Sequence, residues 1–256
     1  MPPATVFIVP YRDRAAQKAT LERVLAVHLS QWEPGAYEVV FVHQCDARPF
    51  NRGAMKNIGA IWAKRAYPDT YDDTTLVFHD VDTWPRPGSR VTYAASPGAV
   101  SHYYGFEFSL GGIVAIKGKD FDRTGGFPNL WGWGLEDNAF LDRCIESGLH
   151  IDRSNLHSPR DPLVARGGEP SVRTIAVGEA AKYCDGGLDS AADITNLRCE
   201  KTGAVLNVIT FSAGTSHRDY TYRDHDVRAG PVVPVYRGGA CRRWDMVLHG
   251  ASRRTL

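Results

Sequence analysis

Three short apolar, β-branched runs, spaced by helical stretches, constrain this chain more than any other feature of its sequence. Residues 5–11 read TVFIVPY, residues 37–43 read YEVVFVH, and residues 74–78 read TTLVF. Continuous apolarity without alternation is the pattern of strands buried on both faces, as in parallel sheets. Between the first two runs, residues 15–31 place Leu21, Val24, Leu25, Val27 and Leu29 mainly on one helical face. Between the second and third, residues 53–66 repeat the helical pattern, with Asn51 as the expected N-cap. Strand, helix, strand, helix, strand in this rhythm predicts a right-handed parallel nucleotide-binding half spanning residues 5–85. Ligands of such sheets sit at the C-terminal ends of the strands. Residues 10–14, 43–46 and 80–82 all fall there.

The rest of the chain reads less evenly. Residues 108–116 are expected to form a strand with a Gly-Gly bend, and residues 136–147 a helix with an acidic first turn. Residues 205–211 are expected to be the last strand and residues 217–228 a polar loop. Residues 100–150 and 205–235 would together supply an acceptor and metal half of a single domain, with 152–204 an insertion of no clean period. Within the 256 residues, 43% are apolar and 23% charged, which suits a globular α/β domain. The net charge of +1, from 30 basic and 29 acidic side chains, gives no electrostatic footprint for nucleic acid. The basic cluster Arg242, Arg243, Arg253 and Arg254 reads as a solvated tail. No run reaches the roughly 18 apolar residues of a membrane span, and the first residues carry no signal-peptide pattern. Five widely spaced cysteines without a CxxC pair read as reduced thiols, with a Cys184–Cys199 pair or a structural zinc as the alternative. A cytoplasmic location is expected.

Two motifs carry chemistry. Asp80-Val81-Asp82 follows the third strand, where two carboxylates one residue apart can hold a hard divalent cation and a ribose hydroxyl. The same pattern elsewhere is often only a turn or a helix start, so its position is what gives it weight. Trp131-Gly132-Trp133-Gly134-Leu135-Glu136-Asp137 is far less common. Its indoles offer flat faces to a sugar ring on a backbone free to swing. Its two carboxylates open a helix, whose dipole favours their ionised form, as a general base requires. The plainer alternative is a glycine-rich turn with core tryptophans and a helix-capping acidic pair. Arg12 and Arg14 after the first strand, and Phe50 and Arg52 at the next crossover, would face a diphosphate or a uracil.

These segments together resemble the β-1,4-galactosyltransferase family. The resemblance rests on PYRDR (10–14), FNRGAMKNIGA (50–60), FHDVDTWP (78–85), LGGIVAIKGKDF (110–121) and GGFPNLWGWGLEDNAFLDR (125–143), in the family's order and near its spacing. His43-Gln44-Cys45-Asp46 also looks like a segment of the xylose-accepting branch. The resemblance implies the GT-A type fold, a single Rossmann-like domain with a mixed central sheet. It implies a Mn2+-dependent, inverting transfer of a hexose from a UDP-sugar to a carbohydrate acceptor. Pro10, Tyr11, Arg12, Arg14, Phe50, Arg52, Asp80 and Val81 would then line the UDP site, and Asp82 would bind the metal. Trp133 would sit on a loop closing over the donor, Asp137 would be the base, and Glu136 and Asn138 would hold the acceptor. Gly112 and Ser109 would shape the sugar pocket. The family commonly has a tyrosine at the place of Ser109, so GalNAc or GlcNAc donors join galactose as expectations. For a further metal ligand the resemblance implies His217, with His157 and His225 as weaker candidates. A catalytically inactive module of the same fold, or a nucleotidyltransferase, are the rival functions.

Overall fold

The computed structural model of the chain describes residues 1–168, 172–178, 182 and 187–226. The first apolar run is strand β1 (Thr5–Tyr11), wholly buried up to its last residue. Helix α1 (Ala15–His28) follows, three residues shorter than the periodicity suggests, and buries Leu21 and Leu25 against the sheet. Strand β2 (Tyr37–Gln44) leads to helix α2 (Arg52–Ala66), whose N-cap is Asn51: its side chain accepts from the Ala54 backbone N–H at 2.8 Å. Strand β3 (Thr75–His79) completes the expected unit, and β1 pairs in parallel with both β2 and β3.

Beyond this unit lie the short β4 (Thr83–Pro85), then β5 (Ala99–Tyr104) and β6 (Ile113–Lys117). The strand expected over 108–116 therefore starts only at Ile113. Gly112 takes φ +77°, and the chain before it turns away from the sheet to meet the helix that begins at Glu136. Strand β5 shows no simple period in its sequence AVSHYY and was not expected; it is stabilised by antiparallel pairing with β6. Helices α3 (Gly118–Thr124) and α4 (Glu136–Glu146) lead to β7 (His150–Asp152).

The segment 152–204, expected as an insertion of unknown form, contains β8 (Val164–Arg166), β9 (Val172–Val177) and β10 (Thr195–Thr202). Strand β11 (Val205–Ser212) matches the expected last strand. The expected loop 217–228 instead holds a 3-10 turn over His217–Asp219 and then β12 (Thr221–Asp226), which pairs antiparallel with β9. The polar sequence of β12 hides it because neither of its faces is buried in the core.

Eight strands form one mixed sheet in the order β10-β11-β2-β1-β3-β6-β5-β7. β11, β2, β1 and β3 run parallel, so Ser212, Gln44, Tyr11 and His79 end on one edge. Two apolar clusters cover the faces, one under α2 and α4 around Phe78, Phe121, Phe127 and Phe140, the other under α1 around Phe7, Phe41 and Tyr93. Among the described residues no helix is long and apolar enough to cross a membrane. The basic cluster at 242–254, Cys184 and Cys241 lie outside the described residues.

Candidate active site

A cavity of about 300 Å3 opens at the C-terminal edge of the parallel strands. Pro10, Arg12 and Arg14 reach it from the end of β1, Phe50 and Arg52 from the start of α2, and Asp80, Val81 and Asp82 from the end of β3. Trp133, Glu136, Asp137 and Asn138 close it from the other side, with Ser109 and Gly112 between. Sequence-distant motifs thus meet as the parallel topology requires. Two expected residues do not line it. Tyr11 packs its ring against Phe41 and His43, 6.2 and 5.3 Å between centroids. His217 rests beside the indole of Trp131 at 5.5 Å, among Arg48, Asp46, Arg218 and Asp219.

The loop between β5 and β6 ties the two halves of the site. The Asp80 backbone N–H donates to the Gly112 carbonyl at 2.9 Å, and the Leu110 N–H donates to the Asp137 carbonyl at 3.0 Å. Gly111 lies so close to the Asp137 carboxylate that a Cβ there would stand 2.5 Å from Oδ2. Any larger residue must displace the carboxylate or the loop. Helix α4 begins after Leu135, held at φ +67°, so Glu136 and Asp137 occupy its first turn. Both are buried, where an unpaired carboxylate is costly.

Cations resolve that cost. The Arg52 guanidinium donates from Nε to Glu136 Oε1, from Nη2 to Asp137 Oδ2 at 2.5 Å, and lies 3.4 Å from Asp80 Oδ2 through Nη1. On the other side Lys56 Nζ donates to Asp137 Oδ1 at 2.6 Å. Burial pushes the Asp137 carboxyl up, but Arg52 and Lys56 outweigh it and hold the group below the usual carboxylate range. Asp82 behaves oppositely. Burial and then the neighbouring Asp80 raise its carboxyl, against the pull of Arg166, Arg52 and Arg173.

Arg166 of β8 and Arg173 of β9 also line the cavity, and the sequence reading did not single them out. Arg173 lies over the Trp133 ring at 5.4 Å. The backbone of that loop is held from both sides: Gly132 N–H donates to Phe50 O, and Trp133 N–H to Thr174 O at 2.8 Å. Lys56 was missed as well. Its one visible signal is a lysine inside a stretch of small and apolar helix residues, GAMKNIGA.

Asp80 and Asp82 offer hard oxygen ligands of the kind Mn2+ accepts. Among the described residues no cluster of three or more His, Cys, Asp or Glu could hold a metal. His157 uses both ring nitrogens elsewhere: Nε2 accepts from the Arg90 N–H at 3.0 Å, and Nδ1 bonds Asp161 at 2.8 Å. The carboxylates suit a cation whose remaining ligands come from a diphosphate and water.

Comparisons with known proteins agree with this geometry. Residues 3–95 match a family model described as the N-terminal region of glycosyl transferase group 7, and residues 94–161 match one described as the N-terminal domain of galactosyltransferase. The chain is 32% identical over 158 residues to the xylosylprotein 4-beta-galactosyltransferase of Caenorhabditis elegans, covering 57% of this chain and 52% of that protein. It is 32% identical over 234 residues to human beta-1,4-galactosyltransferase 3, covering 84% of this chain and 57% of the relative. The chain thus spans about half the length of the curated relatives it matches. The catalytic domain of Drosophila beta-1,4-galactosyltransferase 7, solved in complex with xylobiose, superposes with TM-score 0.64 at 20% identity over 84% of this chain and 96% of that one. A mutant of the same enzyme, solved with manganese, UDP-Gal and xylobiose, superposes with TM-score 0.63 at 18% identity over the same shares. The fold is the GT-A type.

Proposed function

Because the chain belongs to the β-1,4-galactosyltransferase family, we propose that it transfers a hexose from a UDP-sugar to a carbohydrate hydroxyl with inversion at the anomeric carbon. Galactose is the default donor sugar, with GalNAc or GlcNAc as alternatives. One observation carries the reading: an ionised, buried Asp137 faces the same cavity as the Asp80–Asp82 pair. Asp137 takes the proton of the acceptor hydroxyl as that oxygen attacks the anomeric carbon in line. The bond from that carbon to the diphosphate breaks, and UDP leaves with the electron pair. Asp82, with Asp80, would hold Mn2+, which supplies charge neutralisation to the leaving diphosphate. Arg12, Arg14 and Arg52 add positive charge on the same edge, and Phe50, beneath the Arg12 guanidinium at 5.1 Å, offers a face to the base. Trp133 and its flanking glycines cover the donor, and Glu136 and Asn138 lie where the acceptor would enter.

The partners are therefore a UDP-sugar and a saccharide or glycan. A reducing, cytoplasmic setting is part of the same reading; among the described residues Cys45, Cys144 and Cys199 are free thiols. A panel of UDP-sugars against monosaccharide acceptors, with UDP release and product both measured, tests the activity. Asp137→Asn should lower kcat by roughly 10²–10⁴-fold, the range for losing a general base, while UDP still binds. Near-normal turnover by that variant sinks the assignment. UDP binding without transfer to any acceptor would instead mark an inactive module.

A further inference from the structure

Lys56 is a charged side chain in a place where charge is expensive. It lies on α2, 1% exposed, with Ala54, Met55, Ile58 and Ala60 as its buried neighbours along the helix. Its Nζ stands 4.3 Å from the centre of the Phe127 ring, and Phe127 stacks on Phe140 in the core. Burying an ammonium ion costs several kcal/mol unless a partner of good geometry offsets it. The partner is Asp137, whose Oδ1 accepts from Nζ at 2.6 Å. The other oxygen, Oδ2, is turned to Arg52 and lies against Gly111. The two cations differ in setting. Arg52 is shared among three carboxylates and lies on the cavity wall, whereas Lys56 lies behind the carboxylate and lines no part of the cavity.

We propose that Lys56 is the positioning residue of the catalytic base: its ammonium anchors Asp137 Oδ1 so that Oδ2 faces the acceptor hydroxyl. This rests on Asp137 being the base. The anchor has a second effect, because a fixed positive charge behind the carboxylate keeps it ionised when Arg52 engages a diphosphate. The charged and titratable groups facing Asp137 are Arg52 and Lys56 from α2, Glu136 beside it on α4, and His102 from β5, with Asp80 reached through Arg52. Of the two cations that contact the carboxylate, Lys56 is the one set away from the donor.

The test compares Lys56→Met, which keeps length without charge, and Lys56→Gln, which keeps a donor without charge, with Lys64→Met two turns along the same helix. Lys64 is exposed and pairs with Asp122 on the surface, so that variant should behave as wild type. Lys56→Met should lower kcat by about 10–100-fold, as expected from a misplaced reacting group, with donor KM and UDP affinity unchanged. The acid limb of kcat/KM should move up by about one pH unit or more, since a close opposite charge is removed. Lys56→Gln should recover part of kcat while the acid limb stays raised. A folded Lys56→Met with normal kcat and an unmoved acid limb overturns the proposal. If Lys56→Met does not fold, the same change is made together with Asp137→Asn. Folding restored in the double variant means that the buried carboxylate is what needs the lysine; continued unfolding means that Lys56 only packs, and the proposal falls. Full turnover by Asp137→Asn would remove the base reading itself. An inactive Asp137→Asn beside an unaffected Lys56→Met removes only the role of Lys56.

Discussion

Arg52 Nη2 donates to Asp137 Oδ2 at 2.5 Å, so an arginine contacts the oxygen that the proposed reaction requires. The same guanidinium contacts Glu136 and Asp80. Burial works against its charge, yet the three carboxylates hold it well above its usual range. It is the hub that allows acidic residues from β3 and α4 to share one wall. Arg52→Met would leave Glu136 buried and unpaired and Asp137 with Lys56 alone. The expected loss is about 3–5 kcal/mol of stability, the cost of breaking a buried pair from one side. Urea denaturation in chelator reads it, and a loss below about 1 kcal/mol, the level of a surface ion pair, would contradict the hub role.

Two buried histidines predict an acid-sensitive fold. Burial lowers both His79 and His102 to about 4. His102 Nε2 stands 3.0 and 3.1 Å from the carbonyls of Tyr104 and Gly111, so it carries the proton there, and Nδ1 is buried with no hydrogen-bond partner among the described residues. Unfolded histidine takes up its proton near 6.5. Between about 6.5 and 4 the unfolded chain therefore binds more protons, and stability falls as pH falls through that window. At about 1.4 kcal/mol per unit, each group contributes on the order of 3 kcal/mol at neutral pH that is gone near pH 4. Denaturation midpoints from pH 7.5 to 4.5 should show this slope, and His102→Gln should reduce it; an unchanged slope in that variant assigns the sensitivity elsewhere.

Metal removal separates Asp82 from His217. Chelator should abolish transfer and Mn2+ should restore it, because the leaving diphosphate needs neutralisation. Asp82→Ala should lose the rescue. His217→Ala should keep it, since this side chain packs beside Trp131 rather than in the cavity. A His217→Ala enzyme needing much more Mn2+ would show that the donor-bound protein brings His217 to the metal.

Ser109 lines the cavity two residues before Gly111, and a serine there is smaller by a phenol ring than the tyrosine that the family resemblance leads one to expect. Measurable use of UDP-GalNAc or UDP-GlcNAc is expected beside UDP-Gal. Ser109→Tyr should shift selectivity toward UDP-Gal by roughly 10–200-fold, the range for a change of pocket shape. Competition assays with paired donors measure the ratio, and wild type confined to UDP-Gal with no response to the substitution ends the argument.

The parallel half was legible because its information is local. Apolar runs mark β1, β2 and β3, Asn51 caps α2, and the Asp-Val-Asp and Trp-Gly blocks sit beside the strand and helix ends that present them. The GT-A architecture and the set of residues expected at the site came from the family resemblance that those motifs carry, and all of that set but Tyr11 and His217 line the cavity. The rest was decided by contacts between residues far apart in the chain. Periodicity cannot reveal that β9 and β12 pair, since neither strand buries a full face and their stability comes from each other. Nor can it show that Arg166 and Arg173 reach the cavity, or that Gly111 presses on Asp137. Lys56 is the sharpest case. In sequence it is one lysine in a helix, which solvent would ordinarily claim; only the packing of α2 against α4 puts its ammonium within hydrogen-bond distance of a buried carboxylate, where the low dielectric makes each charge depend on the other.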